Sequence, residues 1–333
     1  MDPKNIEARR LWAACGLAFL AVFLLGAGAV VNDTYQYLPV VYRIDPTPTN
    51  TIPSGPPWLI YLNQLRALGG LPPVTENSSW SEGGWYHSRY CVKNNTITHE
   101  ETVGNLWYTA AGNAAGMNGN VMVTTDYNNS DNAAIDGWMI APFHGVGMIA
   151  PDLLVTGFGA YRENIGDWSR IKYAATLDVL RGRGAVPASV SFPVRWPGSG
   201  ASMPYTEFDG SEWPDPLTSC SGYSAPSGPP IYLLLGPGNV VPSVTSHSFT
   251  RVSDGQALQH CIFDQTTYSG DQQSLVRSIL DGRNAIILMP RNTLTRGAAY
   301  TVSVTTNGQT YTWSFTVASA NGPEQLAAPR IVK

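Results

Sequence analysis

The sequence predicts an α+β chain in two parts, a helix-rich first half and an all-β second half, behind an apolar N-terminal segment. Three observations carry that prediction. Leu59, Leu62, Leu65 and Leu68 recur at the spacing of one helical face. Far downstream, Tyr300, Val302 and Val304 alternate into Asn307-Gly308, and Tyr311, Trp313, Phe315 and Val317 alternate out of it, the pattern of a β-hairpin on a two-residue turn. At the other end, Leu11 to Val31 forms 21 uncharged positions behind Lys4, Arg9 and Arg10.

Taken in order, residues 1–31 form an anchor or signal segment in which 11–31 are long and apolar enough to span ~30 Å of hydrocarbon, with the positive flank on the cytoplasmic side. Ala27-Gly28-Ala29 also fits a signal-peptidase site, so the segment is either a retained membrane anchor through residues 11–31 or a cleaved signal. Either way the chain is expected to be extracytoplasmic, membrane-anchored or secreted. Six prolines between residues 32 and 57 suit an extended linker. A first domain is expected over 58–184. It opens with a helix from Trp58 to Leu68 closed by Gly69-Gly70, followed by a second helix from a capping box of Ser79 and Glu82 to about Lys93. Ile135, Trp138 and Met139 mark a short amphipathic helix that Pro142 stops, leaving His144 in the following loop. Leu153 to Tyr161 and the alternating residues 171–179 are expected to be strands, the latter half-buried. From 185 to 320 short strands separated by Pro and Gly turns indicate a β-sandwich, with a tail over 321–333.

Only 13% of the 333 residues are charged and the net charge is −4, so no basic stripe exists for a phosphate backbone and nucleic acid is not an expected partner. In an oxidising compartment Cys220 and Cys261 are a plausible disulfide, whereas Cys91, on one helical stripe with Trp80, Gly84 and His87, suits a buried structural thiol.

The block Trp138-Met139-x-x-Pro142-x-His144 with its Gly157-x-Gly159 strand, preceded by His87 to Glu101 (HSRYCVKNNTITHEE), resembles the bacterial branch of the CAP superfamily, over roughly residues 57–162. That family comprises cysteine-rich secretory proteins, antigen 5 and pathogenesis-related proteins. The resemblance implies a CAP-type α-β-α sandwich, and the ending from Pro290 to Val317 looks like bacterial immunoglobulin-like modules. It also implies a ligand cleft, placed here at His87, His99, Glu100, Glu101, Asn113 and His144. Many relatives hold a divalent cation such as Zn²⁺ there, for which His99, His144 and Glu101 are the matching donors. The chain departs from the family pattern at Gly112-Asn113-Ala114, Ala141 and Asp152-Leu153, where two carboxylates and one histidine are missing.

Other readings of single residues remain open. His87 serves equally as a hydrogen-bonded core histidine, His144 as a helix cap, and Asn113 as a residue of a glycine-rich turn. Asp136 is expected to be solvated, and Glu207, Asp209, Glu212 and Asp215 to lie in an exposed acidic turn. His247 and His260 lack metal-ligand spacing. No nucleophile elbow or phosphate loop is present. The expected function is a ligand-binding or interaction module at the cell envelope, its partner a lipid, peptide or surface ligand. The alternatives are a metal-assisted hydrolase and an adhesive surface protein.

Overall fold

The computed structural model describes residues 55–319, which lie within one compact unit. The expected membrane or signal segment, most of the linker and the tail lie outside the described residues. Among the described residues no helix is long and apolar enough to cross a membrane.

The first half comprises α1 (Pro57–Ala67), β1 (Thr75–Glu76), α2 (Ser78–Asn94), α3 (Ala110–Met117), β2 (Gly119–Thr124), α4 (Asp131–Ile140), α5 (Pro142–Met148), β3 (Val155–Thr156), β4 (Phe158–Arg162) and β5 (Tyr173–Asp178). β5 is the middle strand of an antiparallel sheet, order β2-β5-β4. On one face, Thr176 meets Ser88 of α2 at 3.1 Å, and Val121 and Ala174 pack with Cys91 and Val92. On the other, Phe158 stacks on Trp58 of α1 and meets Trp138 of α4 edge-on. Helices on both faces bury all six residues of β5, so the expected half-buried strand is fully buried. Gly159 lets α2 lie close against β4, because a Cβ there would come within 2.0 Å of the Trp85 amide.

The second half contains β6 (Val194–Trp196), β7 (Ser202–Met203), a 3₁₀ turn (Pro216–Ser219), β8 (Ile231–Leu234), β9 (Val244–Arg251), β10 (His260–Phe263), α6 (Gln273–Asp281), β11 (Ala285–Pro290), β12 (Ala299–Thr306) and β13 (Gln309–Val317). It is therefore not all-β: α6 seats Val276 and Leu280 in the core. The strands form two four-stranded sheets, β10-β11-β8-β6 and β7-β13-β12-β9. The hairpin expected around Asn307-Gly308 is β12–β13, with both turn residues at positive φ. Arg195 of the first sheet lies over Trp313 of the second, and His260 of the first contacts Phe249 of the second. Cys220 and Cys261 are disulfide-bonded, closing a 41-residue separation, a constraint worth about 2 to 4 kcal/mol.

The opposite face of β10-β11-β8-β6 packs on the first half. Trp196 Nε1 donates to Leu65 O of α1 at 2.7 Å, Tyr232 Oη donates to Met139 O of α4 at 3.2 Å, and Phe263 packs on Phe143 of α5. The layers thus run helix, sheet, helix, sheet, sheet, and the middle helical layer is covered on both sides. Arg66 fastens that layer: fully buried, it donates to the carbonyls of Pro72, Met148, Ala150 and Leu153, and burial lowers its pKa to about 10.

That covered layer explains the main differences from expectation. Asp136 is not solvated: Tyr61 of α1 donates to it, as does Tyr205 of the second half at 2.6 Å, and burial pushes its pKa up to about 6. Glu212 is buried, whereas Glu207 and Asp209 are exposed and Asp215 caps the 3₁₀ turn. Ser79 and Glu82 form no capping box, since Asn77 takes that place and accepts from the amides of Ser79 and Trp80 at 3.1 and 3.3 Å.

Candidate functional site

Two His–Glu pairs and one further histidine make up the candidate site, His87–Glu101 within the first half and His144–Glu212 where the halves meet. His144 is not in a loop. Pro142 drives Ala141 into an extended conformation, which ends α4, and Pro142 then starts α5 at its first turn, with His144 two residues on. Glu212 arrives from the second half. Its Oε1 accepts from the amides of Phe143 and His144 at 2.8 and 3.0 Å and lies 2.8 Å from His144 Nδ1. A carboxylate against the free amides that open a helix is favoured by their partial positive charge. Burial, with Oε2 left unpartnered, raises the Glu212 pKa, against the lowering effect of His144 and the two amides. With Nδ1 bound to Glu212, His144 keeps Nε2 free among the described residues, and its side chain remains 21% exposed.

His87 and Glu101 form the second pair, at 3.0 Å, with both side chains wholly excluded from solvent. His87 Nε2 faces Thr98 O at 2.8 Å, so both ring nitrogens point at oxygen acceptors. Glu101 Oε2 accepts from the Thr109 amide at 2.8 Å. The expected glycine-rich turn at Asn113 is the helix α3, and Asn113 Oδ1 holds the Glu101 amide at 2.8 Å. Gly116 of α3 lies against this pair, for a Cβ there would approach His87 Cε1 to 2.3 Å. Cys91 completes the packet, its thiol pushed up to about 12 by burial.

His99 lies beside the α3 packet on the exposed side. Its Nδ1 contacts Gly116 O at 2.8 Å, so it donates there and leaves Nε2 as an acceptor. Burial of the ring lowers its pKa, against the raising effect of the bond to Gly116 O. Glu100 is exposed and joins neither pair. Exposed apolar side chains lie near His99: Ile97 two residues before it and Met117 next to its partner Gly116, while the loop leading to α3 carries Val103 and Leu106 at 78% and 85% exposure. Trp80, Trp85, Trp107 and Trp138 do not line one groove: Trp138 is core, Trp80 lies under Arg181, and Arg89 spans Trp85 and Trp107.

As donors for a cleft cation these residues do not fit. Glu101 has both oxygens engaged inside the packet, and among the described residues no group of three or more His, Cys, Asp or Glu side chains is arranged to hold a metal ion. The sequence reading missed Glu212. Its signal was a carboxylate followed by Trp213-Pro214 in an acidic stretch, which is too weak to assign a partner 68 residues away.

Residues 59–169 match the model of the cysteine-rich secretory protein family, CAP, and so carry a CAP domain. The comparison with solved structures includes an extracellular protein containing an SCP domain from Bacillus anthracis str. Ames. That likeness has 16% identity and a TM-score of 0.29, and covers 37% of this chain and 39% of that one. The chain therefore matches well under two thirds of that protein's length. No curated protein matches.

Proposed function

We propose that the protein is an extracytoplasmic binding module of bacterial type that engages a lipid, peptide or surface ligand of the cell envelope through the His99–His144 face. In this reading the second half, an immunoglobulin-like sandwich with one added helix, serves as a structural backing for that face. The observation that carries the reading is the contrast within the cleft. His87 and Glu101 are saturated and dry, whereas His99 and His144 each keep an open Nε2, and exposed Ile97 and Met117 lie close to His99. Hydrogen-bonding groups set among apolar surface suit recognition of an amphipathic ligand. A metal-assisted hydrolase would need Glu101 to share an ion with His99 and His144, and its two oxygens are committed elsewhere.

Co-sedimentation of the purified protein with phospholipid vesicles and, separately, with insoluble cell-wall polymer tests the proposal. Retention on one of them, lost in the His99→Ala/His144→Ala double variant, is the expected result. Retention on neither, or retention indifferent to both substitutions, contradicts it.

A further inference from the structure

The fold brings together two histidines whose separation of 13 residues hid them from spacing arguments. His247 lies on β9, an edge strand of the outer sheet, and His260 on β10, an edge strand of the inner one. Their Nδ1 and Nε2 atoms are 2.7 Å apart, with rings inclined at 79° and centroids 4.9 Å apart. His247 is exposed and His260 is half-buried, so the pair opens to solvent at the mouth between the sheets.

The second nitrogen of His260 fixes the chemistry of the first. His260 Nδ1 lies 2.8 Å from Leu258 O, a carbonyl that can only accept, so Nδ1 carries the proton and Nε2 presents a lone pair. His247 Nδ1 then donates its proton to that lone pair. Apart from its bond to His247, His260 has the usual arrangement of a metal ligand, one nitrogen held by a backbone carbonyl and the other presenting its lone pair. We propose that His247 Nδ1 and His260 Nε2 are the protein ligands of a single divalent transition-metal ion, with water completing its coordination.

Binding replaces the shared proton: His247 moves it from Nδ1 to its solvent-facing Nε2, and no proton need be released. Two nitrogens at ~2.0 to 2.1 Å from one ion at tetrahedral or square angles stand about 3 Å apart, so the rings separate by a few tenths of an ångström and tilt until both lone pairs converge on the ion. His247 is exposed and can yield that distance. Neutral imidazoles select borderline ions over Mg²⁺ or Ca²⁺, with Cu²⁺ bound most tightly in the divalent series. The bond from His260 Nδ1 to Leu258 O already orients the ring, which limits the ordering cost of binding.

Calorimetric titration of the purified protein with Cu²⁺, paired with electron paramagnetic resonance of the bound ion, tests the assignment. His247→Gln and His260→Ala are each expected to weaken one Cu²⁺ equivalent by at least about tenfold, since even loss of an outer-sphere partner costs 10- to 100-fold. The double variant should lose the same equivalent and no other, and that equivalent should show coupling to two imidazole nitrogens in the wild type. Ions held at His99 or His144 would persist in both variants and do not count. No Cu²⁺ binding by the wild type, isotherms unchanged in the variants, or a bound ion without two-nitrogen coupling would overturn the proposal. Because His247 is exposed on an edge strand, His247→Gln carries the test even if His260→Ala disturbs folding.

Discussion

His87–Glu101 and His144–Glu212 are the same chemical pair at nearly the same distance, 3.0 and 2.8 Å, in opposite settings. The first is enclosed within one domain, with both ring nitrogens and both carboxylate oxygens engaged. The second bridges the two halves and leaves one atom of each partner open, His144 Nε2 toward solvent and Glu212 Oε2 unpartnered in the interior. Local pairing therefore does not decide a role. What remains unsatisfied after pairing does, and by that measure the first pair holds the fold while the second has a group to spare for the binding proposed above.

Substitutions sharpen this contrast in a graded way. Breaking the enclosed pair has the largest expected effect: His87→Ala leaves a buried carboxylate uncompensated, at a cost of about 3 to 5 kcal/mol in urea unfolding. An equal cost for His144→Ala would erase the distinction between the pairs. Next comes Asp136, which joins the halves. Its folded pKa is raised, so the folded state binds the extra proton between the usual carboxylate range and about 6. Stability should therefore be greatest below about pH 4 for this group and fall as pH rises to about 6, by up to about 3 kcal/mol. Asp136→Asn should flatten that part of the pH profile. Gly116→Ala places a methyl group against the His87 ring and is expected to cost about 1 to 3 kcal/mol, read as a lowered melting temperature. His144→Ala comes last, at about 1 kcal/mol, because the two α5 amides still satisfy Glu212 Oε1. Its effect should appear in ligand retention instead.

The legible parts of the molecule were those with local signals. Leucine spacing in α1, the Asn307-Gly308 hairpin and the Trp138-to-Gly159 block each state their structure within a few residues, and the last points to the CAP domain matched over 59–169. Two of the errors share one cause. Asp136 and Glu212 look solvated when each domain is read alone, yet the second half covers the helical layer and takes both into its interface through Tyr205 and the α5 amides. Helix α3 was read as a turn because its glycines are poor helix formers. They are required instead by the close approach of Glu101 and His87. The His247–His260 contact depends on two sheet edges meeting, which no sequence interval encodes.

Carbethoxylation of the native protein by diethyl pyrocarbonate near neutral pH, mapped by mass spectrometry, tests the division between the two pairs most directly. Modification of His99 and His144 while His87 stays protected until the protein is unfolded is the predicted result. Labelling of His87 as fast as His144, or protection of His144 in the native state, would contradict it.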